Sequence, residues 1–163
     1  MDVYMLIIET IVLCCALFMA CVLGSGTDKK NLRHYASYPD VVQMRIRELE
    51  CYQGQFKEGA ILPHWIANLF LFAALFFLLV LPLRQGQFVD NFVALLFLGE
   101  TVNVFDLVVI DLLWWRNTQR IRLSALPQKQ LYQNPQKHIE AFFRAAVMFV
   151  LVALLDGYLL SLF

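Results

Sequence analysis

The stretch 88-FVDNFVALLFLGETVNVFDLVVIDLLWW-115 decides the fold of this chain. It is apolar enough to cross a membrane, for which about 20 predominantly apolar residues suffice. Its interior nevertheless carries four polar residues, which are Glu100, Asn103, Asp106 and Asp111. Because an ionisable group at bilayer depth is costly, such residues are the first candidates for a functional site.

The four polar residues share one face if the stretch is a regular α-helix. With a turn of about 100° per residue, Asp111 lies about 20° from Glu100, while Asn103 lies about 60° to the other side. Asp106 lies about 60° further, so the polar arc spans about 140°. We expect that face to point at protein or water rather than at lipid.

The composition indicates a membrane protein. The chain has 163 residues, of which 60% are hydrophobic and 16% are charged, and its mean hydropathy is +0.63. Soluble domains are about half apolar and about a quarter charged. The formal net charge is zero, so no nucleic-acid partner is expected. The expected partner is the lipid bilayer, because the apolar residues are concentrated in blocks.

Four apolar blocks are long enough to cross the bilayer, and two long polar loops, 25–60 and 116–138, separate them. The first block is not expected to be a cleaved signal peptide, because no Lys or Arg precedes it and Glu9 lies inside it. The sequence therefore predicts an all-α, integral membrane four-helix bundle, with residues 1–163 as a single membrane domain. The predicted spans are residues 4–24, 61–83, 88–115 and 139–163.

The positive charges predict the orientation. The first loop has six Lys or Arg residues and the third has five, whereas the second has only Arg84 and the amino-terminal tail has none. Cytoplasmic loops carry the excess of Lys and Arg. We therefore expect both long loops in the cytoplasm and both termini outside it (N-out/C-out), in the cell (inner) membrane.

The first long loop is predicted to contain an amphipathic cytoplasmic helix. Pro39 and Asp40 are typical of a helix start. Apolar residues then recur at helical spacing for about 18 residues. These residues are Val41, Val42, Ile46, Leu49 and Phe56.

Cysteine and histidine spacing assigns no metal site. The four cysteines are Cys14, Cys15, Cys21 and Cys51, and they form no Cys-x-x-Cys pair. No Cys/His cluster has the spacing of metal ligands. The sequence does not identify a metal or a cofactor for this protein.

Residues from three spans are predicted to converge on one ligand-binding pocket. At a rise of about 1.5 Å per residue, five of them fall in the inner half of the membrane and two near its midplane. We expect Arg144 to be neutralised by Asp111 or Asp106, with Glu140 as a competing partner. Carboxylates outnumber cations within the spans, so a proton, a metal ion or a cationic ligand must balance them. The seven predicted site residues are His64, Asn68, Glu100, Asn103, Asp106, Asp111 and Arg144.

Three functions stay open at this point. The first is a protein that binds or moves a proton, a metal ion or a small cationic or lipophilic ligand in an acidic pocket open to the cytoplasm. Four spans make a thin pathway, so this function requires a homo-oligomer or a larger membrane complex. The second is an accessory or structural subunit that docks a partner through its polar face.

The third open function is a membrane-embedded enzyme that acts on a lipid or lipophilic substrate, with His64 as its acid–base partner. In length and topology the chain resembles the four-helix, N-out glutathione-dependent membrane enzymes. The Arg/Asn/Glu-rich signature of their second helix is absent here, and His64 and Asn68 alone do not reproduce it. Whether the chain is an enzyme is therefore left open.

Overall fold

The computed structural model describes residues 3–162, so Phe163, the last residue of the predicted fourth span, lies outside the described residues. The described chain is helical and contains no β-strand. Short 3-10 turns at 32–37, 50–52, 81–83 and 129–132 connect the α-helices. The α-helices are α1 (Val3–Leu23), α2 (Asp28–Asn31), α3 (Asp40–Glu48), α4 (Ile61–Val80), α5 (Phe88–Phe105) and α6 (Gln136–Leu160).

Four helical stretches are long and apolar enough to cross a membrane. This finding confirms the all-α class and the number of membrane-length helices. The orientation of the termini stays a prediction. The stretches are Val3–Leu23, Ile61–Leu83, Phe88–Trp115 and Lys129–Leu160.

The third of these stretches is not one regular α-helix. The α-helix α5 ends at Phe105, and Asp106–Trp115 continues as a π-helix, which we call the π segment. In a π-helix the backbone hydrogen bonds join residues i and i+5. Such helices are rare in proteins, and many of those that occur lie at functional sites. The angles predicted above assumed an α-helix throughout. They hold for Glu100 and Asn103 within α5 and do not hold inside the π segment.

Helix α6 begins earlier than the predicted fourth span. The side chain of Asn134 accepts a hydrogen bond from the backbone N–H of Gln136 at 3.0 Å, as a helix-capping residue does. Pro135 follows Asn134, and proline is favoured at the first position of a helix because its missing N–H has no partner there anyway. The early start places His138 in the first turn of α6 rather than in the loop.

The chain divides into two compact units. The first unit comprises residues 3–15, 60–105 and 142–162, and it packs α4, α5 and parts of α1 and α6 around an apolar core. The rings of Phe76 and Phe149 stack with their centroids 5.5 Å apart. Leu95 and Leu98 of α5 are completely buried in the same core.

The second unit comprises residues 16–59 and 106–141, and it contains both long loops. Its core includes Tyr38, Ile46, Trp115 and Tyr132. The two loops are therefore packed segments with an apolar core of their own, and not irregular connections.

A helix is present where the amphipathic helix of about 18 residues is predicted, but it is shorter. Helix α3 has nine residues, Asp40–Glu48, because Leu49 adopts an extended backbone conformation and a 3-10 turn follows it. Val42 and Ile46 on one side of α3 are completely buried, whereas Val41 is exposed.

Buried side chains join the two loops of the second unit through hydrogen bonds to backbone groups. The Tyr38 hydroxyl donates to the carbonyl of Ile121 at 2.6 Å, and the Asn31 amide donates to the carbonyl of Arg120 at 2.8 Å. A hydroxyl or amide buried without such a partner costs free energy. The loops therefore hold each other at fixed positions.

The side chain of Asp28 also joins the two loops. Its carboxylate accepts hydrogen bonds from the backbone N–H of Ser124 at 2.9 Å, from the Ser124 hydroxyl, and from the Tyr52 hydroxyl at 2.7 Å. Burial raises the pKa of Asp28, but the hydrogen bonds from Ser124 and Tyr52 outweigh burial and leave that pKa lowered. The charged form of Asp28 is thus the form that the fold stabilises.

Replacing Gly99 in the first unit is expected to destabilise the protein. A Cβ atom there would lie 2.8 Å from Cγ and 2.9 Å from Cβ of Phe149, so the Gly99→Ala variant overpacks the core and loses about 1–3 kcal/mol. Thermal unfolding in mild detergent measures the loss. In the matched control Gly86→Ala, the new methyl group meets no atom within 4 Å. Equal melting temperatures for the two variants would contradict the close packing.

The Asp28→Asn variant is expected to lose about 2 kcal/mol, because hydrogen bonds to a charged acceptor contribute about 1.5–3 kcal/mol each. The folded-state pKa is below the unfolded one, so the contribution of Asp28 is present above the unfolded pKa and is lost as the pH falls through the folded pKa. Melting curves of the wild type and the variant should therefore converge in acid. Glu50→Gln, at an exposed residue of the same unit, serves as the control and should leave the pH dependence unchanged.

Candidate functional site

A buried hydrogen bond between two ionisable side chains lies in the second unit, where the π segment packs near the start of α6. Nδ1 of His138 donates to Oδ1 of Asp111 at 2.9 Å. The side chains are only 7% and 15% exposed, respectively. A carboxylate bonded to a ring nitrogen fixes the orientation of the imidazole and its tautomer.

Aromatic residues form one wall of this pair. The ring of Trp115 meets that of His138 edge to face, with centroids 5.5 Å apart. The Tyr38 ring packs against Trp115 with centroids 5.6 Å apart, and Tyr38 is itself completely buried. The wall covers one side of the imidazole, so the electrostatic interactions of this hydrogen bond are screened less than at a surface.

A second carboxylate lies close to the pair. Asp106 is near enough to Asp111 and His138 to interact with both electrostatically, and Cys21 of α1 lies near both carboxylates. On an α-helix, residues five apart point about 140° away from each other. The i to i+5 bonding of the π segment instead brings such residues towards the same side.

We call Asp106, Asp111 and His138 the acidic cluster. With both carboxylates ionised it carries two negative charges, and His138 supplies at most one positive charge. At least one negative charge is then left without a partner in a largely buried site, which is unfavourable. A positive charge placed beside the two carboxylates would offset this excess.

The acidic cluster is not arranged as a ligand set for a metal ion. Among residues 3–162, no group of three or more His, Cys, Asp or Glu side chains could hold one.

Four of the other predicted site residues lie in the first unit, where they form two separate pairs. Oε2 of Glu100 accepts a hydrogen bond from the amide of Asn103 at 3.3 Å, and the same amide donates to the carbonyl of Phe142 at 3.3 Å. His64 and Asn68 both lie on the exposed side of α4. Nδ1 of His64 lies 2.9 Å from the backbone carbonyl oxygen of Ala60. One of the two ring nitrogens is therefore engaged in a hydrogen bond within α4 and its start.

Arg144 is the remaining predicted site residue, and its backbone carbonyl accepts a hydrogen bond from Nε1 of Trp65 at 3.0 Å. The sequence analysis expected Arg144 to be the partner of Asp111 or Asp106. The structure gives His138 as the hydrogen-bonded partner of Asp111.

Sequence reasoning missed His138, although a signal for it was present. The predicted fourth span began at the first apolar residue, Ile139, and this choice left His138 in the polar loop. The pair Asn134–Pro135 is a helix-start signal, with a capping side chain followed by proline. If this pair is recognised as a helix start, His138 falls on the helix.

Comparison of the chain with protein-family models, with curated proteins and with solved structures returned no match.

A double-mutant cycle on Asp111 and His138 is expected to show strong coupling. Removing one partner of a buried ion pair costs about 3–5 kcal/mol, so Asp111→Asn and His138→Gln should each destabilise the protein markedly. The double variant should lose about 1–3 kcal/mol less than the sum of the single losses. Thermal unfolding in detergent gives all three values.

The pair Arg45 and Glu48 provides the control for this cycle. Its atoms lie 3.6 Å apart, and its side chains are 61% and 65% exposed, so we expect a coupling of at most about 0.5 kcal/mol. Equal coupling energies for the two pairs would show that His138 and Asp111 do not form a buried pair.

Proposed function

We propose that this protein is a small multi-pass membrane protein that binds a proton or a small cation at the acidic cluster. The observation that carries the proposal is a second carboxylate, Asp106, near the hydrogen-bonded pair of Asp111 and the buried His138. Ionisable side chains at membrane depth pair with each other and mark ion pathways and proton relays.

The geometry of the pair supports a proton as the ligand. The distance of 2.9 Å between Nδ1 of His138 and Oδ1 of Asp111 lies within the range over which a proton is exchanged between side chains, about 2.6–3.2 Å. Histidine is also the side chain that changes its charge near neutral pH. Asp106 then serves as the second acceptor, and Asp111 keeps the imidazole oriented.

We further propose that the cluster faces the cytoplasm. Asp111 precedes Trp115 by four residues, within the last part of the π segment. Trp114, Trp115 and Arg116 form an aromatic and then cationic edge that is typical of a membrane–water interface. Together with the positive charges of both long loops, this edge supports an N-out/C-out chain in the cell membrane.

Infrared difference spectroscopy tests whether the cluster binds protons. The purified protein in lipid nanodiscs is moved from about pH 8 to about pH 5, a range in which histidine titrates. We expect a protonated-carboxyl band and an imidazolium band to appear together. Asp106→Asn should remove part of the carboxyl band, and His138→Gln should alter the carboxyl band that remains.

Asp90→Asn is the matched control for this experiment, because Asp90 is an exposed carboxylate in the first turn of α5. A difference spectrum that responds to Asp90→Asn as strongly as to Asp106→Asn would rule out a special role for the cluster. Dye-loaded vesicles under a membrane potential then show whether protons are also moved across the bilayer.

A second candidate is an accessory subunit whose polar groups hold helices together. Two hydrogen bonds in the first unit favour it, because the Asn103 amide donates to the carbonyl of Phe142 and Nε1 of Trp65 donates to that of Arg144. Side-chain hydrogen bonds of this kind hold membrane helices together. Native mass spectrometry in mild detergent separates the two functions. A second polypeptide retained at fixed stoichiometry, without any pH-dependent carboxyl band, would favour the accessory subunit.

A further inference from the structure

The second unit contains an open cleft between its two long loops. The cleft has a volume of about 550 Å³. It is lined by residues 26–28 of one loop and by Gln119, Arg120, Arg122 and Ser124 of the other. The two arginines keep their positive charge at any physiological pH, and Asp28 supplies the one carboxylate among the lining residues. The lining therefore carries an excess of positive charge.

The cleft lies where two membrane-length helices end. Helix α1 ends three residues before Gly26, and the π segment ends four residues before Gln119. The rings of Phe18 and Trp114 meet edge to face with centroids 5.6 Å apart, so the ends of the two helices lie side by side. Because tryptophan and cationic residues mark the membrane–water interface, we expect the cleft at the depth of the lipid headgroups.

The guanidinium group of Arg120 is held in place by backbone groups. Its Nη2 donates to the carbonyls of Val22 at 3.1 Å and Ser25 at 3.2 Å. It lies directly against Gly26, where a Cβ atom would be 2.9 Å from Nη2. A guanidinium has five N–H donors, and those on Nε and Nη1 have no acceptor within residues 3–162. These donors are available to a ligand.

Arg122 also has donors without a partner. Its Nη2 donates to the carbonyl of Asn117 at 3.3 Å. Its Nε is buried and has no acceptor in the described part of the chain. A buried donor without a partner calls for an explanation, and a bound water molecule or ion is one.

The negative groups beside the cleft have their partners within the fold. The carboxylate of Asp28 accepts three hydrogen bonds. The carbonyl of Leu23, at the end of α1, accepts a hydrogen bond from Nζ of Lys30 at 2.8 Å. The donors that lack a partner therefore belong to the two arginines, and the missing group is an acceptor with negative charge.

We propose that this cleft binds the phosphate group of an anionic phospholipid. Arginine suits a phosphate because its planar N–H donors engage two phosphate oxygens at once. Basic pockets at the membrane surface bind anionic headgroups. Leu23, three residues before the cleft, is 64% exposed and offers an apolar surface to the acyl chains. A free phosphate has the same oxygens but makes no use of this surface.

Native mass spectrometry in mild detergent tests the site. The wild type should retain one added phosphatidylglycerol. Gln119→Glu puts a negative charge into the cleft and should lower the affinity about fivefold, which is the effect of one charge at a membrane surface. The side chain of Gln119 makes no hydrogen bond within residues 3–162, so its replacement removes no contact of the fold. Gln130→Glu makes the same charge change at an exposed residue outside the cleft, and it should leave the affinity unchanged.

Two variants of Arg122 test the donors themselves. Arg122→Gln should lower the affinity at least about tenfold, because hydrogen bonds to a charged group are the stronger ones. Arg122→Lys keeps the charge without the planar donors, so its affinity should lie between those of the wild type and Arg122→Gln. Equal affinities for wild type and Arg122→Lys would show that charge alone attracts the lipid, and this result would overturn the site.

Inorganic phosphate separates the two sources of a phosphate group. Added in excess over the lipid, it should displace little of the bound phosphatidylglycerol. The proposal is overturned by free phosphate that displaces the lipid, by a wild type that retains no lipid, and by equal losses in Gln119→Glu and Gln130→Glu. The cleft shares no residue with the acidic cluster, so neither result decides the proposed function.

Discussion

The hydrogen bond between His138 and Asp111 is the interaction on which the candidate site depends. Both side chains are largely buried, and a buried carboxylate without a partner is strongly unfavourable. The pair therefore constrains two elements that are far apart in the sequence, the π segment and the first turn of α6. Trp115 extends the constraint, because its ring packs on both His138 and Tyr38. Tyr38 in turn donates to Ile121 in the other long loop, so the surroundings of the imidazole are fixed by the packing of the whole second unit.

The π segment accounts for the placement of two carboxylates near His138. A regular α-helix would turn Asp106 and Asp111 about 140° apart, and only one of them could then face His138. The i to i+5 bonding brings them towards one side, at the cost of repulsion between two like charges. A proton or a cation bound between the carboxylates would relieve it, and this relief is the physical basis of the proposed function.

The fold was largely predictable from the sequence, and the site only in part. The predicted first three spans match the observed helices closely, because apolar blocks of this length need no tertiary information to be recognised. The contact between Glu100 and Asn103 follows from their spacing of three residues on an α-helix. The predicted partnership of Arg144 with Asp111 rested on depth alone. Depth does not say which side of a helix faces which neighbour, and the structure pairs Asp111 with His138 instead.

The sequence by itself thus determined the number of membrane-length helices and the positions of the polar residues along them. Hydrophobicity and spacing within one helix are local properties, so they can be recognised without knowledge of the rest of the chain. Only the tertiary structure decided that Asp106–Trp115 is a π-helix, that α3 ends at Glu48, and that the two long loops form a packed unit around Tyr38. Each of these depends on contacts between residues far apart in the sequence, whose burial and hydrogen bonds outweigh the local preferences of the chain.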